Sequence, residues 1–554
     1  MDYKTTLLLP ETAFPMRGSL PQTEPIRIKK WQDDKVYEKL TRKNSADFTL
    51  HDGPPYANGH LHIGHALNKT LKDIIVKLAY FSGKSVRFTP GWDCHGLPIE
   101  QEVEKALGKE KKDSIGKPAT RELCRAHAKK FVDIQKEEFI KMGVIADFDK
   151  PYVTMDFAFE ANIYRSLVEI AKQGVLTLRK KPVYWSWAAR TALAEAEVEY
   201  KDKEDYSLFV AFELLNPSLI GVEKASIVIW TTTPWTLPAN SGISLNPDAL
   251  YALTSDGFVV AESLVEKLKA NEVISGDVVK TFSAKVFERA IAKNPLNGRD
   301  SIVVLGSHVM IEDGTGAVHT APGHGEDDYR VGLVYDLPVI MPVDENGRYD
   351  ETIIREKLLP EEFLGAKVLQ SNDKIVEMLG SAALKVGKFI HSYPHCWRTN
   401  QPVIYRATEQ WFIAMDAPLK RDGRTLRQTA LGAIERVKFT PETGYNRLRA
   451  MIANRPDWCV SRQRDWGVPI AFFRHKATGE VLYDEAVLNK TAAFFEAEGC
   501  DTWYIRPNAD FGVSDEYEKT ADILDVWFDS GSTWFSVLKS GNYDAGNFPA
   551  DVYL

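Results

Sequence analysis

Apolar positions follow two rhythms in the first hundred residues. Asp47-Phe-Thr-Leu-His51 is a short β-branched and aromatic run closed by Gly53-Pro-Pro55, the pattern of a strand that stops at a turn. Beyond His65 the spacing changes: Leu67, Leu71, Ile74, Ile75, Leu78 and Phe81 recur at three or four residues, with Lys69, Lys72, Asp73 and Lys77 on the opposite face. That is an amphipathic helix. Ser85-Val-Arg-Phe-Thr89 then reads as a second strand ending at Pro90-Gly91. Strand, Gly/Pro loop, helix and strand predict a βαβ unit with a parallel sheet and a right-handed crossover, its ligand lying beyond the carboxyl ends of the strands.

Further along, the alternation that a doubly wound sheet needs is interrupted. Between Val183-Tyr-Trp185 and Ser392-Tyr-Pro-His395 lies a long stretch that begins with Thr-, Val- and Ile-rich strands. It reads as a separate β-rich domain inserted through two nearby crossing points.

Composition narrows the class. The 554 residues, 44% hydrophobic and 26% charged, are ordinary for a soluble protein and too many for one core, so about three or four domains are expected. No run of about eighteen uncharged apolar residues occurs, and the charged start MDYKTTLLLPETAF has no basic segment leading into a hydrophobic one. The expectation is a cytoplasmic protein without membrane contact. Cys94, Cys124, Cys396, Cys459 and Cys500 are scattered, odd in number and never paired as CxxC, so a disulfide framework is not expected. A net charge of −8 argues against whole-molecule attraction to nucleic acid. Locally the balance differs: from Lys420 to Arg464 eleven Lys or Arg stand against four Asp or Glu, which is either a solvated helical face or a contact surface for a polyanion.

Candidate chemistry concentrates in His51-Asp-Gly-Pro-Pro-Tyr-Ala-Asn-Gly-His-Leu-His-Ile-Gly-His65, which holds four histidines. His62-Ile-Gly-His65 falls where the loop feeds the helix. Unpaired N–H groups and the helix dipole favour an anion there, two imidazoles add donors, and Gly64 lets a flat base or a phosphate approach the backbone. Zinc is the competing use of His60, His62 and His65, but side chains at a loop–helix junction diverge and no carboxylate or thiolate accompanies them at ligand spacing. His51 and His60 are assigned structural roles.

On these residues the sequence resembles a class I aminoacyl-tRNA synthetase, whose first signature is HIGH, here His62-Ile63-Gly64-His65. Small nucleotidylyltransferases share an HxGH pattern. The combination with HDGPPYANG (His51 to Gly59), GWDCHGLPIE (Gly91 to Glu100), VSRQRDWGVP (Val460 to Pro469) and DVWFDSGSTW (Asp525 to Trp534) is similar to the isoleucyl branch and extends over essentially the whole chain. Valyl relatives typically differ in GWDCHGLPIE.

The resemblance implies an α/β fold, a Rossmann-type parallel sheet carrying HIGH and split by a β-rich editing domain. It implies attack of the L-isoleucine carboxylate on the α-phosphate of ATP, giving isoleucyl-adenylate, then transfer to the terminal ribose of tRNA(Ile). Such a displacement needs positioning and charge stabilisation and no nucleophilic side chain. His62 and His65 would be the catalytic pair, Asn58, Gly59 and Gly64 would complete the ATP site, and Mg²⁺ would accompany ATP. Gly53 and Pro54 would line the isoleucine pocket, Asp93 would hold the ammonium and Trp466 would form an apolar wall. An ammonium needs a carboxylate away from water, and a branched alkyl group needs flat apolar walls. Equally, Trp466 suits plain core packing, and an Asp within Gly-Trp-Asp-Cys-His-Gly suits a turn.

Within the insertion, Trp230-Thr-Thr-Thr-Pro-Trp-Thr-Leu-Pro-Ala-Asn240 sets four threonines on a Pro-stiffened stretch, either a strand or a row of hydroxyls. Gly314-Thr-Gly-Ala-Val-His-Thr-Ala-Pro-Gly-His-Gly-Glu-Asp-Asp328 is a glycine-studded loop. Together they resemble the family's editing pocket at Thr231, Thr232, Thr233, Thr236, Asn240, His319 and Asp328. Valine lacks one methylene of isoleucine, worth only about 1–3 kcal/mol in an apolar pocket, a limit for which isoleucyl enzymes are themselves the standard illustration. The implied second pocket hydrolyses valyl esters, Asp328 anchoring the ammonium while the hydroxyls, Asn240 and His319 position the ribose and a water.

The expected organisation is an N-terminal extension over 1–47, a first catalytic half with HIGH over 48–195, an editing domain over 196–392 and a second catalytic part over 393–554. Two departures from the family pattern stand out. Where many relatives bind zinc through CxxC pairs, this chain has Trp185-Ser186-Trp187-Ala188-Ala189 and Cys396 with Thr399, so no structural zinc is expected. No KMSKS loop or anticodon-binding domain follows before Asp551-Val-Tyr-Leu554, which reads as the N-terminal part of a longer monomeric synthetase, impaired in activation but able to edit. A valyl relative, a small nucleotidylyltransferase and a non-catalytic tRNA-binding fragment are the other readings; the long Thr-rich insertion argues against the second.

Overall fold

The computed structural model describes residues 3–8, 12–41 and 46–554, so part of the extension expected over 1–47 lies outside the described residues. The chain forms two compact units, Met1–Glu169 with Asp465–Leu554, and Ile170–Arg464.

In the first unit, β1 (Phe48–His51) pairs in parallel with β2 (Val86–Phe88), Phe48 opposite Val86 and Leu50 opposite Phe88. Its other edge takes Val552–Tyr553, also parallel, with Leu50 opposite Val552. Every side chain of β1 and β2 is buried, as in the strands of a parallel sheet. Gly91–Trp92 runs parallel to Tyr152–Val153. A Cβ at Gly91 would fall 2.1 Å from the Tyr152 ring, so only glycine lets that ring lie there. Leu50, Val86, Phe88, Trp92, Ile99 and Phe139 are among the core residues.

Between β1 and β2 runs α1 (Ile63–Phe81), where the apolar spacing predicts a helix. Its orientation reverses the usual rule for such a pattern. Lys69, Lys72, Val76 and Ala79 are buried, whereas Leu67, Leu71, Ile74 and Leu78 are exposed, together with Ile63 at 86% and Phe81 at 80%. One carboxylate accounts for the buried lysines. Asp52, fully buried at the end of β1, accepts from Lys69 Nζ at 2.5 Å and from Lys72 Nζ at 2.6 Å. A buried carboxylate requires such partners, and two lysines three residues apart share a helix face.

The second unit contains the Thr-, Val- and Ile-rich stretch. A ten-stranded sheet runs in spatial order Val278–Ser283, Leu250–Thr254, Phe258–Ala261, Ser226–Thr231, Val198–Leu214, Ile291–Lys293, Asp300–Leu305, Gly242–Leu245 and Ala317–Thr320. The tenth strand, Ala383–Cys396, lies antiparallel to Val198–Leu214, with Cys396 opposite Val198. Leu208, Val210, Ile227, Ile229, Ile243 and Tyr251 are central to the core. A four-stranded sheet joins Trp458–Cys459, Ile404–Ile413, Leu176–Ser186 and Thr191–Leu193. The basic stretch forms helices Leu426–Ile434 and Thr443–Ala453, the latter with no buried residue. There Arg424, Arg427 and Arg449 pair with Asp422, Asp416 and Glu435, while Arg436, Lys438 and Arg447 are exposed.

Among the described residues no helix is long and apolar enough to cross a membrane. All five cysteines are buried free thiols.

Candidate functional site

His62 is the N-cap of α1. Its Nδ1 accepts the Gly64 N–H at 3.1 Å, and His65 Nδ1 accepts the His62 N–H at 3.3 Å. The two rings therefore fold back over the first turn and stack, with centroids 3.9 Å apart and planes 25° from parallel. With each Nδ1 facing a backbone donor, a neutral ring carries its proton on Nε2 and can offer that N–H to a ligand. His62 is exposed and His65 half-buried. Burial, His62 and Lys69 hold the His65 imidazole below its usual pKa. Gly64 has a local reason beyond backbone access: a Cβ would lie 2.9 Å from His62 Cε1 and 3.0 Å from Nδ1. The other two histidines are engaged elsewhere, His60 with Glu138 at 2.6 Å and His51 with the Thr533 hydroxyl at 2.9 Å. Among the described residues no group of three His, Cys, Asp or Glu side chains is placed to hold a metal.

The loop before α1 is tied to Asp93. The Asp93 N–H donates to the Pro55 carbonyl at 2.8 Å, and the Ala57 N–H donates to the Asp93 carbonyl at 2.9 Å. The Gln135 amide donates to the carbonyls of Tyr56 and Gly59 at 2.9 and 2.7 Å while accepting the Trp92 indole N–H at 3.0 Å. Gly53, Pro54, Asn58 and Gly59, all partly exposed, thus belong to one braced loop bonded to Asp93. The Asp93 side chain is buried. It accepts the Thr154 hydroxyl at 3.3 Å and the Ser530 hydroxyl at 3.1 Å. Burial, and then the nearby Asp529, push its pKa well above the carboxylate range, favouring the acid until a cation is brought to it.

Trp466 is 0% exposed and presents no surface. Its indole N–H donates to the Cys94 carbonyl at 2.6 Å, and the Arg121 and Arg125 guanidinium carbons each stand 5.3 Å from the ring centroid. An aromatic pair that does reach solvent is Tyr56 with Trp527, edge to face at 6.3 Å, Trp527 being 40% exposed.

In the second unit one hydrogen-bonded net joins most of the threonine stretch. Thr231 Oγ1 accepts the Thr233 N–H at 3.1 Å, and Thr236 Oγ1 donates to the Thr233 carbonyl at 2.8 Å. His319, buried on the strand Ala317–Thr320, lies between Thr236 Oγ1, 2.8 Å from its Nε2, and the Asn240 amide nitrogen, 3.1 Å from its Nδ1. Asn240 also donates to the Gly242 carbonyl at 2.8 Å, and its Oδ1 accepts no hydrogen bond among the described residues. Burial, with His324 nearby, lowers the His319 pKa to about 3, so this ring is neutral near pH 7. Thr232 is partly exposed and outside the net. Asp328, in the first turn of the helix Glu326–Tyr335, accepts the Ala321 N–H at 2.9 Å, and burial raises it to about 7.

The family model of tRNA synthetases class I (I, L, M and V) matches residues 26–554. The chain belongs to this family. Similar curated proteins are the isoleucine–tRNA ligases of Sulfurimonas denitrificans, 64% identical over 100% of this chain and 62% of that protein, and of Nitratiruptor sp., 65% identical over 100% and 61%. The chain spans about three-fifths of the length of these relatives. A solved LeuRS–tRNA–LeuAMS complex from Agrobacterium radiobacter K84 is 16% identical and covers 94% of this chain and 59% of that one, with a TM-score of 0.38.

This class I synthetase chain has the α/β fold with parallel strands and a large β-rich sheet that the sequence pattern and resemblance imply. Sequence reasoning missed Asp52, Lys69 and Lys72 as a buried group; the lysine spacing was a signal only if a buried acid was sought. Lys72 is lowered to about 8 by burial, against the pull of Asp52. Also missed were Tyr56 and Trp527, both inside the motif strings, and the buried side chains of His95, Asp529 and Glu160.

Proposed function

We propose that this chain carries the isoleucine-activating site and the proofreading site of an isoleucine–tRNA ligase acting on L-isoleucine, ATP and tRNA(Ile). The observation that carries the reading is the stacked His62–His65 pair at the start of α1, next to the loop bonded to Asp93. Helix N–H groups and two Nε2–H donors suit an anion whose charge shifts during reaction. An isoleucine carboxylate oxygen bonds to the α-phosphorus as pyrophosphate departs. His62 and His65 donate to phosphate oxygens, Mg²⁺ arriving with ATP. Asn58, Gly59 and Gly64 shape the nucleotide site, and Gly53 and Pro54 the isoleucine pocket. Asp93 gives up its proton as the ammonium docks, which exchanges one positive charge for another without leaving a bare carboxylate in the interior.

The second pocket removes valine attached in error. A water adds to the valyl ester carbonyl and the terminal ribose leaves as the alcohol. Asp328 as a carboxylate takes the ammonium; the Thr233 and Thr236 hydroxyls, Asn240 and neutral His319 hold the ribose and the water. Purified chain should deacylate Val-tRNA(Ile), and Asp328→Ala should abolish this. Absence of hydrolysis under all conditions would favour a non-catalytic tRNA-binding role instead.

A further inference from the structure

Behind Asp93 lies a buried set of charges to which the chemistry above gives no task. His95 is 1% exposed. Its Nδ1 stands 2.6 Å from Asp529 Oδ2 and its Nε2 3.5 Å from Glu160 Oε1. Glu160, fully buried, also receives Arg125 Nη2 and the Cys500 N–H, both at 2.7 Å. Trp466 closes another side, its ring centroid 4.8 Å from that of His95. Asp529 adjoins Ser530, whose hydroxyl donates to Asp93.

The charges in this cluster pair off. Arg125 matches Glu160, and His95 as imidazolium matches Asp529, which leaves Asp93 as the carboxylate of the cluster without a cation of its own. Burial acts to neutralise His95, but Asp529 and Glu160 outweigh it and hold the imidazole up at about 9. The His95 contact, the Arg125 guanidinium and the Cys500 N–H overcome the burial of Glu160 and keep it at about 2. Remove the imidazolium, and the charge on Asp529 is no longer offset, so Asp93 holds its proton more tightly against an incoming ammonium. Remove Asp529 instead, and a buried imidazolium competes with any incoming ammonium.

We propose that His95 is a positioning residue of the amino-acid site: by neutralising Asp529 it keeps Asp93 the one carboxylate there that calls for a cation, and so makes the site select a substrate bearing a primary ammonium. This rests on Asp93 being the ammonium anchor. The probe is L-isoleucinol, which has the amine and no carboxylate, titrated against the 554-residue chain alongside 3-methylpentan-1-ol, its analogue without the amine, and ATP.

His95→Gln should lower the preference for the amine over its analogue by about tenfold or more, as truncating one member of a buried charge pair does, and leave ATP affinity unchanged. Asp529→Asn should do the same. The double variant, neutral at both positions, should recover to within about threefold of the unmodified chain, because charge balance is restored. The affinity ratio does not depend on the folded fraction, and Asp529→Asn carries the test if His95→Gln fails to fold. An unchanged preference in either single variant, additive losses in the double variant, or a parallel loss of ATP affinity would overturn the proposal. An unmodified chain that shows no preference for the amine would instead remove Asp93 as the ammonium anchor.

Discussion

Replacing Gly64 with alanine should separate what the helix needs from what the proposed phosphate site needs. Alanine in place of glycine favours a helix by up to about 1 kcal/mol. Here, however, the new Cβ would come within 2.9 Å of His62 Cε1 and 3.0 Å of Nδ1. The exposed His62 ring must swing aside, breaking the 3.1 Å bond from the Gly64 N–H. Losing such a cap costs about 0.5–2 kcal/mol. The two effects offset, so the unfolding transition should move by less than about 1 kcal/mol. Binding has no such compensation. If His62 donates to the phosphates as proposed, one imidazole donor is lost, and a hydrogen bond to a charged group contributes about 1.5–3 kcal/mol, so nucleotide affinity should fall roughly ten- to hundredfold. Urea unfolding followed by circular dichroism, run beside calorimetric titration with a non-hydrolysable isoleucyl-adenylate analogue, measures both. A destabilisation beyond about 2 kcal/mol, or unchanged affinity, would refute the claim that glycine is there to seat the His62 ring.

Two further outcomes follow from buried charge. Asp52→Asn strands Lys69 and Lys72 in the interior and should cost about 3–5 kcal/mol in denaturant unfolding; a loss under about 1 kcal/mol would mean that the lysines find water without it. Burial would raise Asp52, but the two lysines outweigh it and hold its pKa below the usual value. Its contribution is therefore present above the unfolded-state pKa and lost as pH falls through the lower folded value, so acid unfolding of the Asn variant should show a weaker pH dependence than that of the unmodified chain. Asp328, pushed up to about 7 by burial, must ionise to hold an ammonium. Deacylation of Val-tRNA(Ile) should rise about fivefold from pH 6 to 7 and level off above 8; Asp328→Asn should be slow and flat, and a flat profile in the unmodified chain would contradict the role.

What could be read from the sequence was local structure set by one continuous stretch. The turn at Gly53-Pro-Pro55, the helix start after His62 and the short strands on either side follow from local spacing, and the structure places β1, α1 and β2 within a residue or two of those limits. The link from Thr231 through Thr233 to Thr236 is equally local, and His319, opposite Ile243 on a paired strand, joins it to Asn240. Long-range electrostatics was not legible. The buried face of α1 is set by Asp52, 17 and 20 residues before the lysines it binds, and periodicity alone points the other way. His95 meets Asp529 across 434 residues of sequence. Nothing in GWDCHGLPIE read by itself says that its histidine faces a carboxylate.

The outward leucines of α1 invert common advice on resurfacing. Along a rail of about 27 Å, from Ile63 to Phe81, the side chains that hydropathy rules would protect are mostly wet, and two that the rules would offer for mutation, Lys69 and Lys72, are sealed in. Glutamate at Leu71 or Leu78 should fold as well as the original and make the isolated chain less prone to clump at high concentration. Leucine at Lys72, the swap a helical wheel recommends, removes one of the two cations that neutralise Asp52.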